Sequence, residues 1–150
     1  MSLTEKINAD IKAAMLAKEK EKLAALRSIK SALLLEATSE GAGGAISAEA
    51  ELSIVQKLFK QRMDAAKIYR EQDRADLAET EEVEAAVIKV YLPEQMSEED
   101  VRTVVQEVIA SVGAIGPSDM GKVMGPVMGR LKGKADGSLI SSMVKAELNS

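Results

Sequence analysis

The chain has 150 residues, enough for one domain or two small ones, and only 2% of them are aromatic: Phe59, Tyr69 and Tyr91, with no Trp. A core must then be built from Leu, Ile, Val, Met and Ala, which favours helices over a β-sandwich. The net charge of −4 marks a soluble chain that is not globally basic, and the absence of Cys and His removes disulfides, thiol nucleophiles, histidine acid–base chemistry and the usual zinc sites.

The first helix is predicted over Ser2 to Lys18, capped by Ser2 or Thr4, with Leu3, Ile7, Ile11, Ala14 and Met15 as its apolar stripe. KEKEK (Lys18 to Lys22) reads as a turn or a solvated helix face. Leu23, Leu26, Ile29, Leu33 and Leu34 give a second helix, ending near Thr38, with Arg27 and Lys30 beside the stripe. SEGAGGAIS (Ser39 to Ser47) is a flexible connection; no GK[ST] follows its glycines, so it is not a phosphate loop.

A third helix opens at Ser47 or Ala48 and runs to about Gln72, with Leu52, Val55, Phe59, Met63 and Ala66 inward. Lys60 and Arg62 flank that stripe as candidate anion contacts, with a solvated face as the favoured reading. Asp76 with Glu79 resembles a capping box for a fourth helix, which ends near Tyr91 and turns Leu77, Val83, Val87, Val90 and Tyr91 inward. Glu79, Glu81, Glu82 and Glu84 are spaced as a solvent face, not as a metal cage. Pro93 stops this helix and sets a boundary between residues 1–92 and 93–150.

Ser97 and Asp100 form a capping box for a fifth helix, whose stripe is Val101, Val104, Val105, Val108, Ile109 and Val112 and whose end is Gly113. Ser118 is expected to cap the sixth. Its sequence, within DMGKVMGPVMGRLKGKADG (Asp119 to Gly137), holds three columns. Met120, Val123, Met124, Val127, Met128 and Leu131 are an apolar stripe; Gly121, Gly125 and Gly129 recur at every fourth residue; Lys122, Pro126 and Arg130 form the column beyond. A kink is expected at Gly125-Pro126 and an end at Gly133. Asp136 or Ser138 caps a last helix that buries Leu139, Ile140, Met143, Val144 and Leu148.

Glycine inside a helix costs roughly 0.5–1 kcal/mol relative to alanine, so three of them require a reason. They either let a neighbouring helix pack closely, which is the first expectation, or leave the backbone open to a phosphate chain beside basic side chains. The charge distribution favours the end of the chain as the positive region. Residues 1–93 carry 14 basic and 16 acidic side chains, residues 94–116 carry one and five, and residues 117–150 carry five and three.

DMGKVMG, the basic run after it and GKADG (Gly133 to Gly137) resemble the tail domain of the GatB/YqeY family. LRSIKSALLLE (Leu26 to Glu36), KQR (Lys60 to Arg62), RADLAE (Arg74 to Glu79) and YLPEQMSEE (Tyr91 to Glu99) stand where such proteins have similar segments. The length is that of the family's stand-alone form. Family members often carry glycine where this chain has Asp73. The resemblance implies an all-α fold, with an N-terminal domain of about four helices in hairpins and a small C-terminal three-helix bundle.

It also implies an accessory role at tRNA. The GatB tail contacts tRNA, whereas glutamine hydrolysis and the activating chemistry of the amidotransferase belong to other parts of that enzyme. Carried over residue by residue, the contacts would be Lys122, Gly125, Gly129, Arg130, Lys132 and Lys134. The alternatives are a protein–protein adaptor and an auxiliary factor of a glutamine-dependent amidotransferase, a carbon–nitrogen ligase. The partners implied are tRNA and a protein of the translation or aminoacyl-tRNA pathway. No catalytic group, metal or cofactor is expected, since no base stands ready to activate a serine. No apolar run approaches about 18 residues, so no membrane partner is expected, and the absence of a visible signal peptide makes the cytoplasm the expected location.

Overall fold

Seven α-helices and one 3-10 turn make up the described residues, 2–39, 43–44 and 46–150 of a computed structural model, with no strand among them. The all-α expectation therefore holds. The chain divides into two compact units, Met1–Leu92 and Pro93–Ser150.

The first unit holds α1 (Leu3–Ala17), α2 (Lys20–Ala37), α3 (Ala48–Glu71) and α4 (Ala75–Lys89). Ser2 caps α1 with a full capping box: its hydroxyl accepts from Glu5 N, and Glu5 answers on Ser2 N. Lys18 then reverses the chain in the left-handed region (φ 59), and its N–H reaches the carbonyls of Ala14 and Met15. Helix α3 pairs mainly with α4, while α2 lies against α1 and α4. Ile7, Leu26, Ile29, Leu33, Val55, Ile88 and Leu92 form the centre of the core. Burying each such side chain is worth about 1.5–3 kcal/mol.

Several expected positions are corrected here. Met15, Leu34, Met63, Val83 and Val90 are exposed, because each stands on the flank of its helix and not at its centre. On α4 the buried line is Ala78, Ala85 and Ile88. Asp76 is no N-cap: Arg74 holds that position, and the Asp76 carboxylate takes the Arg74 guanidinium at 3.2 and 3.3 Å. Of the connection from Ser39 to Ser47, residues Glu40, Gly41, Ala42 and Ala45 lie outside the described residues. Within it Gly43 and Gly44 have φ of 62 and 81.

Arg62 is neither a solvated residue nor an open anion contact. It reaches Ser28 Oγ of α2 at 3.0 Å and the carboxylates of Glu84 and Glu81 of α4 at 3.3 and 3.9 Å, with its side chain only 19% exposed. The acids of α4 are thus partly spent inside the unit: Glu81 and Glu84 on Arg62, and Glu82 on Arg70 in a two-point pair at 2.6 and 2.9 Å. That pair holds the Glu82 carboxyl below its ordinary range, the hydrogen bond from Arg70 being the main cause. Tyr91 ties α4 back to α1. Its hydroxyl donates to Asp10, and Lys6 lies over its ring at 5.4 Å.

The second unit holds α5 (Glu98–Val112), a 3-10 turn (Pro117–Asp119), α6 (Met120–Leu131) and α7 (Gly137–Leu148). Ser97 caps α5 by accepting from Asp100 N at 3.1 Å, the serine half of the expected box. Val101, Val104, Val105 and Val108 of α5 meet Val123, Val127 and Leu131 of α6 and Ile140, Met143, Val144 and Leu148 of α7 in one aliphatic core.

Candidate nucleic-acid interface

Helix α6 is held from both ends. The expected Ser118 cap does not form, because Ser118 lies inside the 3-10 turn and Asp119 holds the N-cap position without a side-chain bond to the helix backbone. The Asp119 carboxylate turns back instead. One oxygen accepts from Ile115 N at 2.9 Å and the other faces Lys122 Nζ at 3.4 Å. The amide bond from Ile115, followed by the charge of Lys122, keeps this carboxyl below its usual range.

At the far end Gly133 turns the chain at φ 76 and is buried. Its carbonyl accepts from Gln95 Nε2 at 2.7 Å, and Met96 N–H donates to Lys134 O at 2.9 Å. The segment before α5 therefore straps down the basic run after α6. Sequence reasoning missed Gln95, although YLPEQMSEE was singled out. No local pattern announces a side chain that bonds a carbonyl 38 residues away.

Between these ends the apolar stripe divides. Val123, Val127 and Leu131 are buried, whereas Met128 remains 39% exposed. The helix runs unbroken from Met120 to Leu131 through Pro126, which is exposed. Proline removes the bond to the carbonyl of Lys122, on the turn that faces water.

Within the tail unit no helix packs on the glycines. Gly121, Gly125 and Gly129 are exposed, and a Cβ added to any of them would meet nothing within 4 Å. No described residue of the tail unit needs their small size. The solvent side of α6 is consequently a strip of bare backbone, with Lys122 and Arg130 one residue further round.

The six expected contact residues fall into two groups. Lys122, Gly125, Gly129 and Arg130 share the outer side of α6. Lys132 and Lys134 follow the helix and are turned outward, because they alternate with buried Leu131, Gly133 and Ala135. Lys122 is 70% exposed while paired to Asp119, and Arg130 is 52% exposed while paired to Glu107 at 3.0 Å. The Arg130–Glu107 pair, exposed on both sides, contributes little. Among the described residues no cluster of three or more acidic side chains is placed to hold a metal ion. No helix of the described residues is long and apolar enough to cross a membrane.

A family profile described as Yqey-like protein matches residues 4–148. The chain belongs to the YqeY family. Its relation to the C-terminal domain of GatB accords with the likeness carried by DMGKVMG and GKADG. One curated relative is altered inheritance of mitochondria protein 41, mitochondrial, of Clavispora lusitaniae (strain ATCC 42720). It is 39% identical over 92 residues, 61% of this chain and 52% of the relative. The match thus spans about half the length of that relative. In this YqeY-family chain Asp73 takes φ 59, so a left-handed turn follows α3 without a glycine.

Proposed function

We propose that this protein is an RNA-associated accessory factor, directed at tRNA, that contacts the ribose–phosphate chain through the outer side of α6. The observation that carries the reading is the glycine column itself. Gly121, Gly125 and Gly129 cost helix stability, yet no described residue of the tail unit lies over them. Their benefit must come from something outside the tail unit, and the flanking cations, Lys122 and Arg130, suit an anionic backbone that comes close. Lys132 and Lys134 extend the positive edge. With three aromatic residues in the whole chain, recognition by shape and phosphate position suits the protein better than stacking of successive bases on aromatic rings. A cytoplasmic site of action fits this reading.

A second reading uses the same strip to receive a helix of a protein partner, as in an auxiliary factor of an amidotransferase. The half-exposed Met128 beside the glycines favours it. The two separate in one experiment. Purified protein and a K122A/R130A/K132A/K134A variant are titrated with bulk tRNA across a salt series. The RNA reading expects binding that weakens with salt, and a variant about a hundredfold weaker at low salt whose log–log slope is smaller by about 0.7–0.9 per lost phosphate contact. If neither protein binds at low salt, the cations are a solvated face. A partner complex that survives nuclease would then establish the adaptor.

A further inference from the structure

The connection between α5 and α6 displays an aliphatic side chain on a backbone with little freedom. Gly113 closes α5 at φ 69, and its N–H and that of Ala114 both reach the carbonyl of Ile109. Ala114 packs on the core. Ile115 N–H is taken by the Asp119 carboxylate at 2.9 Å, and Asp119 N–H closes the loop on Gly116 O, also at 2.9 Å. Pro117 fixes one further dihedral. The main chain of the loop is thus committed, and it turns Ile115 outward with 95% of its surface open.

A single exposed apolar residue is ordinarily unremarkable. Two features set this one apart. Its position is imposed by hydrogen bonds and not left to a mobile loop. It is also joined to the basic strip, since the carboxylate that holds Ile115 N–H faces Lys122 Nζ with its other oxygen. Asp119 presents little free charge to an approaching anion, because its side chain is 15% exposed and both oxygens are engaged. The N-terminal end of the α6 strip therefore offers a cation and a rigid apolar knob together. Those are the two chemistries of a nucleotide: a charged phosphate and the flat apolar face of a base.

We infer that Ile115 is a wedge that packs on an exposed nucleobase face while Lys122 holds a nearby phosphate, so that the protein selects folded RNA with a helix-terminating or unstacked base over uninterrupted duplex. This rests on the reading of α6 as an RNA surface. It adds a source of selectivity that phosphate contacts alone do not supply.

The test titrates wild type, Ile115→Ala and Ile115→Trp with bulk tRNA and with a long, fully paired RNA duplex in which helix ends and unpaired bases are scarce, each over a salt series. Ile115→Ala should weaken tRNA binding about five- to tenfold at every salt concentration, the scale expected for losing part of an aliphatic contact. The salt slope should not move, and binding to the long duplex should stay at the wild-type level. Ile115→Trp should restore or exceed wild-type affinity for tRNA, because a flat ring stacks better than a branched chain. An unchanged melting temperature for both variants is expected of so exposed a position. If wild type binds tRNA and Ile115→Ala binds it equally, the wedge is wrong and the phosphate reading stands. Equal loss on both RNAs also overturns it, since no base face is being selected. If wild type binds neither RNA, the RNA reading and the wedge fall together.

Discussion

In the N-terminal unit, α1 and α3 are closed by left-handed residues that are not glycine, Lys18 and Asp73, each at φ 59, whereas the left-handed positions of the tail are Gly113 and Gly133. The tail also has three glycines inside α6 that no left-handed conformation requires. Cations divide in the same way. Arg62 of α3 is 19% exposed and joins three helices through Ser28, Glu81 and Glu84, while Lys122 and Arg130 are 70% and 52% exposed, each with one carboxylate nearby. The same residue types thus do different work. At Lys18 and Asp73 the first unit forgoes glycine where it would fit, although Gly43 and Gly44 take such positions, and Arg62 links helices from a largely covered site; in the tail glycine appears where it weakens a helix, and Lys122 and Arg130 stay accessible.

The sharpest way to break this comparison is to remove one arginine from each unit. Arg62→Ala leaves Glu81 and Glu84 facing each other with their side chains 23% and 18% exposed. A partly buried pair broken on one side should cost about 2 kcal/mol, less than a fully buried one. Denaturant unfolding should show this, and tRNA binding under native conditions should not change. Arg130→Ala should do the reverse: no resolvable loss of stability, and a smaller salt slope for tRNA. If Arg62→Ala weakens RNA binding while the fold is intact, the division of labour is wrong.

Periodicity was a good guide to where helices lie and a weaker guide to which side of each is wet. Met15, Leu34, Met63, Val83 and Val90 carry strong apolar signals yet stand outside the core, whereas Ala78 and Ala85 carry almost none and are buried at 0% and 1%. A helix pair that approaches through alanine conceals its contact line from any hydrophobicity pattern. The glycine column was legible as a feature in need of a cause, because its propensity cost is local. Its cause was not legible, since spacing is the same whether a column faces a helix or water. Asp119, Gln95 and Ile115 gave no signal: the first two act on main-chain atoms across a turn or across the unit, and an isoleucine in a loop reads as an ordinary apolar residue.

Replacing Gly121 and Gly129 by Ala sharpens the comparison from the tail side. There is room for both methyl groups, and neither position has a left-handed φ. Each substitution should raise stability by roughly 0.5–1 kcal/mol, read as a higher unfolding midpoint. A more stable protein that binds tRNA about tenfold less well would show that the bare backbone serves contact and not folding. Unchanged binding would mean that the cations act alone.

The smallest effect is the complementary one in the N-terminal unit. Lys18→Gly removes the steric cost of a left-handed side chain, against some added freedom of the unfolded chain, and should stabilise by about 0.5–1 kcal/mol. Asp73→Gly should gain less, because aspartate tolerates that region better than lysine. Both turns are made by main-chain bonds that glycine preserves: Lys18 N to Met15 O at 3.2 Å, and Asp73 N to Arg70 O at 3.2 Å. Paired melts of the two variants in the same buffer would rank them. If Asp73→Gly gains as much as Lys18→Gly, the aspartate brings no local compensation to its turn, and glycine is simply the better closing residue for α3.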